Sequence, residues 1–369
     1  MTVGTLTLRE INRSTLTRQL LLDRAMLTLP EALEHLVGMQ AQSSSAPYVG
    51  LWTRVRGFKR EDMSDLIRER VIVKATLMRG TLHAFTAADY LRFRHTLQSV
   101  LDNMLDTITK ARDKQFDPDT VLAEGREFLS QEPRSFAEIT KHFTERYPNA
   151  DIGSIRYMLR TQIPLVQVPN DSAWSYPGNP KFTLAETWFG TPIPEQDALP
   201  DLIRRYLAAF GPATVKDIET WSGLRGLKET LEAMKPDLVV YKEEGGRTEL
   251  LDLPDMPFPP GDMPMPPRFL PEFDNLLLSH QKRTRVLADE HRSRVYMSGN
   301  LRVANTILVD GFVAGVWKIG TVKKAAALVI EPFAPISKAD RDTLTEEGEQ
   351  LVRMVEEGAK SYEVRWIEP

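Results

Sequence analysis

Two glutamines one residue apart, Gln40 and Gln42, are the side chains in this sequence best placed for chemistry. They lie in Gly38-Met39-Gln40-Ala41-Gln42-Ser43-Ser44-Ser45-Ala46-Pro47, just after the apolar, helix-like run Leu33, Leu36, Val37. Side chains at i and i+2 diverge on a helix but share one side of an extended backbone. The serine run and Pro47 favour the extended form, so both amides are expected to face one cavity. Each amide offers a carbonyl acceptor and an NH2 donor, and neither carries a titratable proton. Such a pair can hold a water or a polar ligand but is no strong base. The spacing also fits two solvent-facing glutamines at a helix end.

The elements around the pair repeat. Thr28-Leu-Pro-Glu31, Ser135-Phe-Ala-Glu138 and Thr214-Val-Lys-Asp217 each fit the pattern in which a hydroxyl and an acidic side chain cap a helix N-terminus. They predict helices over 31–38, 137–147 and 215–222. Second helices are expected over 62–70, 152–161 and 224–234. A strand pair should follow each time: 71–74 with 82–85, 165–168 with 174–176, and 238–242 with 248–251. Gly245-Gly246, and Asn170-Asp171 after a proline, are turn signals. Helix, helix, hairpin is the order of a winged helix. Further helices are expected over 15–25, 89–112 and 201–209.

The proline-rich stretch from Pro254 to Pro267 reads as an extended linker. Beyond it, strands are expected over 295–297, 306–309, 312–318, 326–330 and 361–366, with a two-residue turn at Asp310-Gly311. A helix over 338–357 starts at Ser337-Lys-Ala-Asp340. The fold class is therefore α+β: three tandem winged-helix units plus a C-terminal α+β domain with a small sheet. The expected boundaries are 1–112, 113–190, 198–254 and 268–369.

Composition narrows the chemistry. The 369 residues contain no cysteine, which excludes disulfides, thiol catalysis and thiolate metal sites. The six histidines are scattered, with no HExxH or HxxxH pair, so neither a metal nor a cofactor is expected. No apolar run approaches the roughly 20 residues of a membrane span, and a cytoplasmic protein is expected. The net charge of −4 hides an uneven distribution. Residues 1–110 hold 15 lysines and arginines against 11 acidic residues. The segment 281–302 carries Lys282, Arg283, Arg285, Arg292, Arg294 and Arg302 against Asp289 and Glu290. Such local fields can steer DNA although the total is negative.

Several motifs together resemble the winged-helix DNA glycosylase family (AlkZ/YcaQ-like). They are Leu-Arg-Glu-Ile-Asn-Arg (8–13), Val-Gly-Met-Gln-Ala-Gln (37–42), Met-Arg-Gly-Thr-Leu-His (78–83), Leu-Pro-Glu-Phe-Asp-Asn-Leu-Leu-Leu-Ser-His (270–280) and Val-Asp-Gly-Phe-Val-Ala-Gly-Val-Trp-Lys (309–318). The resemblance implies that Gln40 and Gln42 are the catalytic signature of the AlkZ-like branch. In the other branch an Asp replaces the second Gln. It also implies three winged helices around a channel for double-stranded DNA.

The chemistry is consistent without a carboxylate. A purine alkylated at N7 is cationic and leaves readily; the enzyme must chiefly place a water against an oxocarbenium-like sugar. Two amide dipoles can do so by preorganisation. The expected activity is a monofunctional glycosylase acting on N7-alkylated purines or alkylguanine interstrand crosslinks, as a monomer. Expected DNA contacts are Arg79, Thr81 and His83, then Arg283 and Arg285, and the 309–318 hairpin with Lys318. His83 and His280 also fit structural, hydrogen-bonded roles, Trp317 fits the core, and Arg13 is expected to pair with an acidic neighbour. The alternative is a non-catalytic winged-helix regulator, for which the glutamines would be incidental.

Overall fold

The first segment of the computed structural model holds β1 (Thr2–Leu6), α1 (Leu8–Arg18), α2 (Leu29–His35), β2 (Met39–Gln40), α3 (Ala46–Trp52), α4 (Arg60–Arg68), β3 (Ile72–Thr76), β4 (Leu82–Thr86), α5 (Ala87–Phe93) and α6 (Gln98–Thr109). Residues 2–110, 112, 115–246, 248–297 and 302–368 are described. The boundary expected between 112 and 113 adjoins 111, 113 and 114, which lie outside them. Next come α7 (Pro118–Gln131), β5 (Arg134–Ser135), α8 (Phe136–Arg146), α9 (Ile152–Gln162), β6 (Leu165–Val168), β7 (Lys181–Leu184) and α10 (Ala185–Phe189). A third segment holds α11 (Leu199–Phe210), α12 (Val215–Ser222), α13 (Lys228–Met234), β8 (Val239–Glu243) and β9 (Glu249–Asp252).

Local chemistry explains the helix starts. Thr28, Ser135 and Thr214 each accept from the backbone of the acidic residue three positions on, which bonds back in turn. The same box opens α1, between Thr7 and Glu10. The helix expected over 15–25 is thus displaced: α1 ends at Arg18, and Leu20 takes a left-handed φ of 57°. The single helix expected over 89–112 is divided into α5 and α6. The expected strand at 174–176 is a loop instead. Trp174 packs edge-on against Tyr48 and under the Arg60 guanidinium, and these contacts outweigh its β preference. β7 takes its place in the sheet.

The hairpins do not stay separate. The first and second merge through Ala75 and Val166 into one six-stranded sheet, ordered β2-β4-β3-β6-β7-β5. Residues opposite each other on paired strands share a face. One face carries Val73, Ala75, Phe85 and Val166 into a core with Tyr206, Phe210 and Trp221 of the third segment. The other carries Met39, Ile72 and Ala84 onto Leu33 and Tyr48. The third hairpin pairs elsewhere, β8 running parallel to β1.

Beyond the prolines lie β10 (Arg268–Leu270), α14 (Asn275–Leu278), α15 (Arg292–Val295), β11 (Tyr296–Met297), β12 (Arg302–Val303), β13 (Thr306–Val309), β14 (Phe312–Val322), β15 (Ala325–Pro332), α16 (Lys338–Val355) and β16 (Ser361–Trp366). The sheet order β10-β13-β14-β15-β16 ends in a parallel pair, bridged by α16. Val49 and Trp52 of α3 share its core with Phe269, Trp317 and Leu344. Trp317 is core, its indole donating to the Leu270 carbonyl.

Buried ion pairs fasten these parts. Arg54, just past α3, forms two bonds of 2.8 and 2.9 Å with Asp274, the N-cap of α14, and both side chains are fully enclosed. Arg18 makes the same fork with Asp252. Removing one partner leaves a buried charge alone, so Asp274→Ala should cost about 3–5 kcal/mol. Arg54→Met with Asp274→Leu should recover a large part of that loss, read by urea denaturation.

Candidate functional site

The path into the site begins where α2 stops. Val37 and Gly38 both take left-handed φ values, 55° and 77°. A Cβ on Gly38 would lie 2.5 Å from the Phe85 ring, so only glycine allows this close approach. The Gly38 carbonyl accepts from Asn275 Nδ2 at 2.7 Å, which ties the reversal to α14. The chain then runs extended. Met39 lies opposite Ala84 and Gln40 opposite His83, and the Ala41 amide donates to Leu82. The backbone is extended at Gln40 through pairing with β4, but the serine and proline run expected to favour that form does not adopt it: Ser43 to Ser45 turn, Ser45 has helical φ/ψ, and Pro47 lies in the first turn of α3. Gln40 is buried, whereas Gln42 is exposed and its side chain makes no hydrogen bond among the described residues.

Pairing with His83 puts Gln40 on the sheet face turned toward the third segment. There it meets Arg79, in the turn between β3 and β4. Arg79 has a left-handed φ of 52°, followed by Gly80 at 65°. A Cβ on Gly80 would lie 1.9 Å from the Met104 sulfur on α6, so the turn is pressed against that helix. The Arg79 guanidinium donates through Nη2 to Gln40 Oε1 at 2.8 Å and through Nη1 to the Trp221 carbonyl. His83 Nε2 stands 3.2 Å from the same Nη2. Thr81 contributes its carbonyl, 3.1 Å from His83 Nδ1. That oxygen can only accept, so the Nδ1 proton is fixed and Nε2 is left as the acceptor for Arg79.

Electrostatics follow from enclosure. Burial, then the Arg79 charge, pushes the His83 imidazole down to about 3, so it is neutral at ordinary pH. Burial and the neighbouring Arg283 lower Arg79 to about 10. Arg283 is half-buried, donates to the Leu277 carbonyl at 3.0 Å and lies over the Tyr296 ring. Neither arginine has a carboxylate partner among the described residues.

The expected DNA contacts therefore separate. Arg79, Thr81 and His83 come together beside Gln40 with Arg283 alongside, but His83 is wholly enclosed and reaches no ligand directly. Arg285 is also an interior residue: it donates to the Pro212 carbonyl at 3.1 Å and faces Asp217 at 3.9 Å. Its place in a basic run had suggested otherwise. The tip of the 309–318 hairpin is not free to enter a groove. Asp310 binds Arg9 and Arg13, and the Gly311 carbonyl accepts from Asn12, which seats the turn on α1. Lys318, farther along the strand, is exposed at a cavity of about 290 Å3 with Arg302 and Met297.

Two further cations lie near the site outside the expected DNA contacts. Lys74 interrupts an apolar strand, opposite Ala84 and hence on the face away from Gln40. Its ammonium bonds Ser44, two residues past Gln42, at 3.0 Å, and burial lowers it to about 8. Arg160 reaches across from α9 to Thr76 at 2.9 Å. A lysine inside an apolar strand was the available signal for the first; the second stands on a second helix, a place that fits the regulator alternative equally and does not foretell its bond to Thr76.

Residues 33–354 match the profile of the family described as AlkZ-like, DNA glycosylase AlkZ-like. The chain is 26% identical over 356 residues to an interstrand DNA cross-link repair glycosylase of Streptomyces sahachiroi, covering 91% of this chain and 93% of that protein. It also superposes on the structure of Streptomyces sahachiroi DNA glycosylase AlkZ with a TM-score of 0.78 at 24% identity, over 98% of this chain and 100% of the other. This second likeness is one of fold.

Two enclosed imidazoles impose a pH dependence. His280, bonded to the Phe210 carbonyl, is lowered to about 3 like His83, mainly by burial. The unfolded chain takes up both protons near the ordinary value of 6.5, and the folded chain does so only near 3. Their contribution is complete above pH 6.5 and is lost as pH falls through that interval. His83→Gln should flatten the fall in unfolding free energy between about pH 6.5 and about pH 4, measured by urea titration beside the wild type.

Proposed function

The chain belongs to the AlkZ-like DNA glycosylase family, and from that premise we propose that it releases N7-alkylated, cationic purines from double-stranded DNA and unhooks alkylguanine interstrand crosslinks by water attack at C1′. The observation that carries this reading is the pair Gln40 and Gln42. One amide is held on an edge strand by Arg79, and the other stands open to solvent two residues further on. A cationic purine takes the bonding electrons without prior protonation. The protein's task is then to hold a water and present dipoles to the developing oxocarbenium, which two amides do without a general base. Release of the base with no strand cleavage completes a monofunctional reaction.

In this reading the three helix–helix–hairpin segments act as winged-helix units, bounded at 1–112, 113–190 and 198–254, with the C-terminal domain at 268–369. The acting species is a monomer in the cytoplasm. Arg283 and Lys318 supply phosphate contacts, and Thr81 shapes the turn that carries Arg79. Positive charge without carboxylate partners on an otherwise acidic chain supports such an approach, because the local field and not the total steers the duplex. No described helix is long and apolar enough to cross a membrane.

Duplexes carrying N7-methylguanine or a nitrogen-mustard crosslink test the reading. The wild type should generate an abasic site. Gln40→Ala and Gln42→Ala should each lower single-turnover release by roughly 10²–10³-fold with duplex affinity retained, the size expected for removing one preorganised polar group. Binding without release from either lesion in the wild type would overturn it.

A further inference from the structure

Gln40 is not free to present either end of its amide. Its Oε1 is 2.8 Å from Arg79 Nη2, and a guanidinium has donors only, so the amide must turn its oxygen to Arg79. The reverse orientation would set NH2 against a guanidinium N–H. Arg79 in turn cannot swing away easily. Its other terminal nitrogen holds the Trp221 carbonyl, and Nη2 is also met by the Nε2 lone pair of a His83 whose tautomer Thr81 fixes. The backbone beneath is clamped in a left-handed turn against Met104. Gln42 has no such partner among the described residues and is exposed, so its amide remains free to choose its end.

We propose that Arg79 is a positioning residue that sets the polarity of the glutamine pair, with Gln40 presenting its NH2 to the oxygen of the attacking water and Gln42 supplying the carbonyl that accepts the water's O–H. The inference rests on the glycosylase reading above. The two amides, equivalent in sequence, then do different work. The bond to the cationic guanidinium polarises the Gln40 amide and strengthens its N–H as a donor. The water keeps one lone pair for Gln40 and directs the other at C1′. As the oxygen bonds to C1′, the C1′–N9 electron pair departs with the purine, which leaves as neutral 7-alkylguanine. The surplus proton on the new hydroxyl passes directly to bulk water on the side where solvent-exposed Gln42 orients that O–H.

The asymmetry makes the test. A glutamate at either position keeps an acceptor and loses a donor. Gln42→Glu should retain base release within about tenfold, while Gln40→Glu, still able to bond Arg79, should fall as far as Gln40→Ala, about 10²-fold or more. Arg79→Ala should lower kcat by about 10–10²-fold with KM for the damaged duplex nearly unchanged, and added guanidinium should restore part of the loss. Arg79→Lys, which keeps the charge and loses the fork, should stay folded and fall between the two. Equal effects of glutamate at both positions, or an Arg79 variant that raises KM with kcat intact, would overturn the proposal; the second result would make Arg79 a plain DNA contact. A wild type that releases no base defeats the glycosylase reading instead. The polarity is then judged from the Gln40 side-chain NH2 resonance, assigned by its loss in Gln40→Ala. It should shift in Arg79→Lys, and an unmoved signal would sink the assignment.

Discussion

Everything at the site depends on the reversal at Val37 and Gly38. Two successive left-handed residues end α2 and turn the chain against the Phe85 ring, where no side chain fits at position 38. The next residues have no choice of direction. They add an edge strand to β4, and the register that puts Gln40 opposite His83 also puts Gln40 on the face where Arg79 lies. Because side chains alternate along a strand, a slip of one residue would exchange Gln40 for Met39 or Ala41 and move the amide into an apolar core. Asn275 pins the turn from the far end of the chain, so the C-terminal segment serves the site although it contributes none of the glutamines.

Among the buried and half-buried cations, two kinds stand apart. Arg18, Arg54 and Arg205 each meet a carboxylate and join distant segments: Arg18 with Asp252, Arg54 with Asp274 and Arg205 with Asp89. Arg79, Lys74, Arg160 and Arg283 are satisfied by carbonyls, hydroxyls or ring faces and meet no carboxylate among the described residues. Hydrogen bonds to neutral acceptors meet the geometric need of a guanidinium without cancelling its charge. The first kind secures the fold, while the second leaves positive potential around the loop that bears Gln42. Burying charge without a counter-ion is costly, and on the proposed reading that cost suits a site that receives a polyanion.

How much could be read in advance followed the range of the interaction. The boxes at Thr28, Ser135 and Thr214 act over three residues and were legible. So was the Asp310-Gly311 turn, whose residues take φ values of 47° and 81°. The equivalent box at Thr7 was overlooked because the apolar run from Leu16 to Leu22 drew the helix too far along; Leu21 is core without being helical. Junction of the first two hairpins at Ala75 and Val166, the seating of Asp310 on α1 and the enclosure of Arg285 all depend on residues far apart in the chain, and nothing in the local pattern records them. At the site, the extended backbone at Gln40 comes from pairing with His83, 43 residues away, while the serines and proline from which it was expected instead turn the chain into α3. The Arg79 bond to Trp221, 142 residues away, was not legible either.

If the glutamine pair acts as proposed, the use of amides where other hydrolytic sites place a carboxylate has a physical reading in the same contacts. A carboxylate at position 40 would form an ion pair with Arg79, and the pair would present little net field to the sugar. A neutral amide leaves the Arg79 charge uncancelled and offers only a dipole, whose influence falls off faster with distance than that of a charge. With Arg79 positive and Gln40 turning its NH2 outward, only the Gln42 carbonyl would favour an oxocarbenium on the proposed reading, and the site offers none of the proton donation that an intact, neutral base needs in order to leave. Selectivity then resides in the substrate. On the proposed reading, only a purine already made cationic by alkylation has a glycosidic bond weak enough to yield to positioning and dipoles.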